Sequence, residues 1–286
     1  MPKLPLKNKT KAKLSPQIKI VVIGSGNLAW HIVSHLSFFK RFNILVYNKS
    51  LSPNLKSLQR EFKVGITNDW KKIGNNAGFY FICSGDESIK EIAFKIKKIK
   101  TKGLVIHTSG TSPLSAIKIA SKNTGVLYPL QTFSFGQSVN WWEVPIFVEA
   151  SNSKNLEILN RFAGLFSNSV IKLNSEQRIK LHLAAVIAGN FSNAMYAASY
   201  LYLEKEMDKG FFNYLVPLIT KTAKKIRSVE PIKAQTGPAS RKDKETRKKH
   251  LQLLKKYPEL KKNYKSISKL IIKQQKTNAQ LKTKTK

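Results

Sequence analysis

The sequence predicts an α/β protein in which a doubly wound parallel sheet is followed by an all-α C-terminal domain. Three observations carry this. Short apolar runs rich in β-branched residues alternate with helical segments through the first half of the chain. A glycine-bearing turn joins the first run to the first helix. From Ser175 onward every periodic segment has helical spacing.

The first run, Ile18 to Ile23 (IKIVVI), is almost continuously apolar, as a strand buried on both faces must be. A helix over Leu28 to Phe39 and a strand over Asn43 to Tyr47 follow the turn. Asn68 to Lys72 starts a short helix, and Gly78 to Cys83 (GFYFIC) is another buried strand. A helix over Glu87 to Ile99 leads to a strand over Gly103 to His107. Ser112 to Ala120 has helical spacing, and Thr124 to Tyr128 is a short strand. Pro145 to Glu149 and Ser169 to Leu173 extend the sheet, with a helix at Lys154 to Phe166 between them. Ser175 is the expected N-cap of the next helix, with Arg178 where a full capping box would have Glu or Gln. This apolar helix runs to about Met207. A helix over Phe211 to Val229, a Pro/Gly loop over Glu230 to Ser240, and helices over Lys242 to Lys255 and Pro258 to Lys273 complete the chain.

The 286 residues, 42% hydrophobic, suffice for one large or two medium domains. A single cysteine excludes an internal disulfide framework and fits a reducing compartment, so the cytoplasm is the expected location. The five histidines are scattered without ligand spacing, so no metal is expected. Lys and Arg number 51 against 16 Asp and Glu, a net charge of +35. Such a charge raises nucleic acid or an anionic membrane as partner. The cations are mostly Lys, whereas specific phosphate and base recognition favours Arg forks, and they run along the whole chain. A Lys-rich background is therefore expected, with no specific nucleic acid; an electrostatic role toward an anionic cofactor or substrate stays open. The start, MPKLPLKNKTKAKLS, lacks the apolar stretch of a secretory signal. Leu181 to Leu203 is long and apolar enough to suggest a membrane span, but it contains His182, Asn190 and Asn193. A core or dimer helix fits better, and no membrane partner is expected.

The turn Gly24-Ser25-Gly26-Asn27-Leu28-Ala29 follows a buried strand and opens a helix, the setting a dinucleotide fingerprint requires. Its first glycine permits the tight turn, its second lets the pyrophosphate approach, and the helix N-terminus supplies free N–H groups. This predicts a Rossmann domain. At the end of the second strand an acid would bind the ribose 2′-hydroxyl of NAD. Here stand Asn48-Lys49-Ser50, with no carboxylate to repel a 2′-phosphate, so NADP(H) is expected and NAD is the weaker fit. The loops Cys83-Ser84-Gly85-Asp86, His107-Thr108-Ser109-Gly110 and Tyr128-Pro129-Leu130-Gln131-Thr132 should face the nicotinamide. Expected cofactor-binding residues are therefore Gly24, Ser25, Gly26, Asn27, Leu28, Asn48, Lys49, Ser50, Cys83, Ser84, His107 and Ser109. Cys83 also reads as a small buried strand residue, and His107 as a satisfied strand-end histidine. The expected domains are a basic tail at 1–17, the Rossmann domain at 18–174, a helical substrate and dimerisation domain at 175–275, and a basic tail at 276–286.

On the helix from Ser175, at about 100° per residue, Asn193 falls about 20° and Asn190 about 80° from His182. Three polar side chains thus share one face of an apolar helix. They either satisfy one another or line a substrate pocket between the two domains, where an imidazole can deliver a proton. In the loop AQTGPASRKD, Arg241 either holds a carboxylate or phosphate, or pairs with Asp243.

The motifs VIGSGNLAWH (Val22 to His31), HTSG (His107 to Gly110), YPLQTFS (Tyr128 to Ser134), LHLAAVIAGNFSNAMY (Leu181 to Tyr196) and AQTGPASRKD (Ala234 to Asp243) together resemble one family. It comprises Rossmann-like NADP oxidoreductases with a C-terminal domain of unknown function, related to pyrroline-5-carboxylate reductase and the β-hydroxyacid dehydrogenases. The resemblance covers roughly Lys19 to Leu254. It implies a C-terminal helical domain that commonly dimerises, and hence a homodimer, but it supplies no substrate. The family usually has His where Tyr128 stands. If that His transfers protons, Tyr128 replaces it only in part. The β-hydroxyacid dehydrogenases use a Lys with an Asn four residues on in the corresponding helix. Four residues after His182 stands Val186, so that pair is not reproduced.

The expected function is an NADP(H)-dependent oxidoreductase that moves hydride between nicotinamide C4 and a small carbonyl, imine or hydroxy acid. His182 is the expected proton donor, Asn190 and Asn193 orient substrate, Arg241 anchors an acidic group, and Tyr128 lies at the site. The alternative is a dinucleotide-binding sensor or scaffold without turnover, motivated by Tyr128 and the missing Lys-Asn pair. A nucleic-acid-binding protein is a third reading, motivated by the charge.

Overall fold

A computed structural model describes residues 17–284. Most of the expected N-terminal tail (1–16) and the end of the C-terminal one (285–286) lie outside the described residues. The chain forms two compact units, 1–189 and 190–286. This division falls inside the apolar helical run, 15 residues beyond the boundary expected at 174/175.

The first unit begins β1 (Ile18–Ile23), α1 (Asn27–Ser37), β2 (Phe42–Tyr47), α2 (Pro53–Phe62), β3 (Gly65–Thr67). It continues β4 (Phe79–Ile82), α3 (Ile89–Lys98), β5 (Leu104–His107), β6 (Thr124–Pro129), β7 (Ile146–Ala150), α4 (Ser153–Ala163), β8 (Val170–Lys172) and α5 (Ser175–Ala185). One eight-stranded sheet results, ordered β3-β2-β1-β4-β5-β6-β7-β8. The chain leaves β1 in one direction for β2 and β3, then crosses to its other side for β4. That reversal opens a crevice at the carboxyl ends of β1 and β4, where Ile23 and Ile82 pair.

Alternation along the strands builds two cores. Ile20 and Val22 face one way, with Phe81, onto Ile32, Val33 and Leu36 of α1 and Phe162 of α4. Val21 and Ile23 face the other way, with Tyr80 and Ile82, onto Ile89, Ile92 and Ile96 of α3. Because both faces are covered, neither set of positions can be polar. This is why the strands read as continuous apolar runs.

The structure corrects several expectations. The segment between β2 and the Trp70–Lys72 3-10 turn contains α2 and β3, neither of which is expected from the residue pattern. α2 carries a weak apolar signal: only Leu55 and Leu58 of its ten residues are buried. All strand pairs are parallel except β6 with β7, which are antiparallel. The connection after Pro129 holds no crossover helix, and a parallel return needs one. The helical spacing at Ser112 to Ala120 yields only a 3-10 turn, Leu114–Ile117. The N-cap of α5 is Asn174, not Ser175. Its side chain accepts from the Gln177 N–H while Gln177 Oε1 accepts from the Asn174 N–H, a complete capping box one residue earlier than expected.

The second unit contains α6 (Ser192–Glu206), a 3-10 turn at Phe211–Leu215, α7 (Val216–Lys225), a single helical turn α8 (Pro231–Ala234) inside the expected loop, α9 (Lys244–Leu253) and α10 (Pro258–Lys284). α10 extends well past the expected Lys273 and into the expected tail. Asp243 caps α9 through the Thr246 N–H at 2.9 Å and hydroxyl at 2.7 Å. Between α5 and α6 the segment Val186–Phe191 is π-helical. No described helix is long and apolar enough to cross a membrane.

Candidate active site

The glycine turn sits at the crevice. Gly24 has φ +116°, and a Cβ there would lie 2.2 Å from the Cys83 carbonyl oxygen. Only glycine tolerates both the conformation and the approach of the β4 strand end. Gly26 differs. It has φ −81° and is the N-cap of α1, and a Cβ on it would meet nothing within 4 Å. No side chain caps α1 and no acid stands in its first turn. α2, α4, α5 and α9 are capped by Ser52, Asn152, Asn174 and Asp243, while α3, α6, α7 and α8 are, like α1, without a side-chain cap. The leading N–H groups of α1 therefore face open space without a side-chain acceptor, which suits a pyrophosphate.

Beside the turn lies a cavity of about 140 Å³ that brings together the expected Gly24, Asn48, Lys49 and Ser84. Trp70 and Lys95, not anticipated from sequence, also line it. Lys95 pairs with Glu91 at 2.7 Å, and Trp70 packs edge-on against Tyr47. No acidic residue lines the cavity. Asn48 also holds its own loop. Its amide donates to the Ser50 carbonyl at 3.1 Å and the Ser52 hydroxyl at 3.4 Å, holding the loop after β2. Ser25 is buried with its hydroxyl 3.2 Å from that of Ser52. Lys49 is left as the cation of this loop. Leu28 is partly buried and packs on the core.

Two of the sequence motifs meet. Asn27 Nδ2 donates to the Phe133 carbonyl at 3.0 Å, and His31 Nε2 donates to the Ser134 carbonyl at 2.9 Å. Helix α1 thus holds the YPLQTFS segment more than a hundred residues away. Burial lowers the His31 pKa, against the hydrogen bond to the Ser134 carbonyl, which favours the protonated ring.

The later loops divide into groups that face the crevice and groups that shape it. Cys83 is a buried strand residue: burial pushes its thiol up to about 12, so it is inert. His107 is fully buried, and its Nδ1 accepts from the Ser109 N–H at 3.2 Å. Burial, aided by the charge of Arg178, lowers its pKa to about 4. Its side chain presents nothing to a ligand, contrary to its place among the expected cofactor contacts. The Ser109 hydroxyl donates to Asp86 at 2.8 Å and accepts from the N–H groups of Thr111 and Ser112. Thr111 also donates to Asp86. Asp86 thereby closes the loops after β4 and β5 onto each other.

Tyr128, at the end of β6, is buried, and its hydroxyl lies 3.0 Å from His182 Nδ1 on α5. Both rings press on Gly110, where a Cβ would come 2.5 Å from His182 Nδ1 and 3.0 Å from Tyr128 Cε2. Burial raises the Tyr128 pKa, against the pull of Arg178. Arg178, read from sequence only as an imperfect cap, is 1% exposed. It pairs with Glu149 at 2.5 Å and donates to the Ser112 carbonyl at 2.5 Å. Its signal in the sequence is faint, because Arg178 stands between the charged Glu176 and Lys180 in the first turns of α5.

Asn190 and Asn193 belong to the second unit and are exposed. The uniform rotation of about 100° per residue used to place them on one face with His182 does not apply across the π-helical segment, whose turns are wider than 3.6 residues. Arg241 is exposed in the turn before α9, and the Asp243 carboxylate is engaged by Thr246. Among the described residues no cluster of His, Cys, Asp and Glu could hold a metal.

Residues 144–271 match the family described as Domain of unknown function (DUF2520). No functionally curated protein matches the chain. Among solved structures, a candidate NADP oxidoreductase from Bacteroides fragilis is 35% identical, with 90% of this chain and 98% of that one covered and a TM-score of 0.83. A pyrroline-5-carboxylate reductase from Coxiella burnetii is 19% identical over 90% of this chain and 97% of that one, with a TM-score of 0.54. A Plasmodium falciparum pyrroline carboxylate reductase with NADP bound is 11% identical, over 91% and 97%, with a TM-score of 0.55. These last two share the fold. With a glycine turn, an uncapped helix and a crevice in place, the chain belongs to the Rossmann-type nicotinamide-dinucleotide oxidoreductases that carry this C-terminal domain.

Proposed function

We propose that this oxidoreductase uses NADP(H) and reduces or oxidises a small carbonyl, imine or hydroxy acid, with His182 handling the proton. The observation that carries the reading is the uncapped N-terminus of α1 beside open space at Gly26, next to a cavity that holds Lys49 and no carboxylate. A 2′-phosphate meets the Lys49 and Lys95 cations there, with the nearby Glu91 carboxylate already paired to Lys95. The nicotinamide ring, when bound, supplies the hydride chemistry. The chain's part is to hold the dinucleotide on Gly24, Gly26, Asn27 and Lys49, and to place a proton-exchanging nitrogen at His182. In this proposal Asn190 and Asn193 orient substrate, and Arg241 anchors an acidic group.

A thermal-shift comparison tests the cofactor. Ligand that binds only the native state raises its apparent stability, by about 2.7 kcal/mol at a hundredfold excess over Kd. NADPH is expected to raise Tm more than NADH, and Lys49→Glu is expected to reverse the preference. Equal shifts, or none, would sink the NADP assignment. With a panel of 2-oxo acids, imines and 3-hydroxy acids, His182→Ala is expected to lower turnover about a hundredfold while leaving the NADPH shift intact. Unchanged turnover removes His182 from the reaction. NADPH binding without oxidation by any panel member favours the sensor reading instead.

The same proposal includes a homodimer. No residue of α6 is buried, and Phe191, Tyr200, Leu201, Phe211, Leu218 and Ile226 are exposed in the second unit. An apolar surface on this scale marks an interaction site, and a second copy covers it most simply.

A further inference from the structure

The proton-handling end of the site depends on residues that no motif linked. The Tyr128 hydroxyl stands 3.0 Å from His182 Nδ1, with the rings at 65° and their centroids 5.9 Å apart. Nε2 forms no hydrogen bond among the described residues. One turn earlier on α5, Arg178 joins three elements through its buried guanidinium. Nη1 donates to Glu149 on β7, while Nη2 donates to the Ser112 carbonyl and, at 3.3 Å, to the Ser175 hydroxyl. Ser175 in turn donates to Glu149 at 2.7 Å and accepts from the Leu114 N–H at 3.0 Å. The start of α5 is therefore fastened to the loop after β5. That loop carries Gly110, the surface on which His182 and Tyr128 rest.

We propose that Arg178 and Tyr128 are positioning residues for His182: Arg178 fixes the loop and helix on which the ring rests, and the Tyr128 hydroxyl donates to Nδ1. Whenever the ring is neutral it is thereby held as the Nε2–H tautomer, and Nε2 alone is left to meet a substrate. The direction of the bond follows from the groups. A phenol is a better acid than a neutral imidazole N–H, and an imidazole nitrogen is a better acceptor than a phenol oxygen. A hydroxyl can also accept from Nδ1–H once the ring is protonated, so the contact survives both charge states. Burial keeps Tyr128 protonated, as the donation requires. Use of Nε2 in catalysis rests on the proposed reductase reading; the tautomer and its cause do not.

The test is nitrogen-15 NMR of histidine-labelled full-length protein at neutral pH without cofactor, with the His182 ring assigned from its loss in His182→Asn. The wild-type ring is expected to show a single tautomer with hydrogen on Nε2. Tyr128→Phe is expected to release it to the two-tautomer average of a free imidazole. Arg178→Met and Arg178→Lys are both expected to do the same, because Lys keeps the charge without the fork. Should the Arg178 variants not fold, Gly110→Ala serves: its methyl, 2.5 Å from Nδ1, displaces the ring and is expected to remove the single tautomer. A wild-type ring carrying hydrogen on Nδ1, or a Tyr128→Phe ring identical to wild type, overturns the role of Tyr128. Unchanged His182 signals in the Arg178 variants, or in Gly110→Ala if those do not fold, overturn that of Arg178. Absence of NADPH stabilisation in the same samples refutes the cofactor reading and leaves the tautomer result standing.

Discussion

At the scale of single residues, burial decides what each titratable group can do. His107 occupies the end of a central strand with no exposed surface, and its pKa falls from 6.5 to about 4. The folded chain keeps this ring neutral down to about pH 4, whereas the unfolded chain takes up a proton below about 6.5. The stability it contributes is therefore complete above about 6.5 and lost as pH falls toward 4, by up to about 3 kcal/mol. Urea unfolding at pH 7 and pH 4.5 checks this. Wild type should lose about 2 to 3 kcal/mol more between the two than His107→Gln, and parallel losses would show that the ring is not held neutral. His31 and His35 shift in the same direction through burial, but both variants retain them. Cys83 illustrates the same principle: a thiol pushed up to about 12 serves as a packing atom beside the turn.

At the scale of elements, the β1-turn-α1 unit contains two glycines with opposite duties. Gly24 is required by the fold, since its φ of +116° and the 2.2 Å approach to Cys83 exclude a side chain. Gly26 has an ordinary φ and open space around it. Gly24→Ala is expected to cost at least about 2 kcal/mol of stability from strain and overpacking. Gly26→Ala is expected to leave the unliganded Tm within about 1 °C of wild type and to abolish the NADPH shift. The two variants separate a glycine kept for folding from one kept for a ligand. Equal stability losses, or a retained NADPH shift in Gly26→Ala, would remove the pyrophosphate from this helix end. The π-helical segment acts at this scale too, because it interrupts the rotation that a sequence pattern assumes.

At the scale of the whole molecule, the second unit carries an apolar surface that its own helices leave open. Leu201 is 58% and Leu218 64% exposed. If a second copy covers them, sedimentation should report a dimer, and Leu201→Glu should shift it toward monomer with the NADPH shift retained. A wild-type monomer at micromolar concentration would defeat the idea. The net charge of +35 also belongs to this scale. It argues for solubility and for attraction of anionic ligands, and it assigns no fold.

The sequence by itself determined the Rossmann-type class of the sheet, most of its strands, and the glycine turn after β1. Strands buried on both faces can be written only as apolar runs, and a pyrophosphate turn needs glycines at fixed local spacing, so both leave marks within a few residues. It also located the Lys49 loop and brought His182 and Tyr128 into consideration one by one. It missed α2 and β3, because two buried leucines and a three-residue strand make too weak a pattern. Only the tertiary structure decided that Tyr128 and His182 touch, that the His31 and Ser134 motifs are tied together, and that Arg178 is a buried junction. It alone buried the His107 side chain completely. The Tyr128–His182, His31–Ser134 and Arg178 contacts join residues 29 to 103 positions apart, and hydrogen-bond partners at that distance are set by how the elements pack, which no local spacing records.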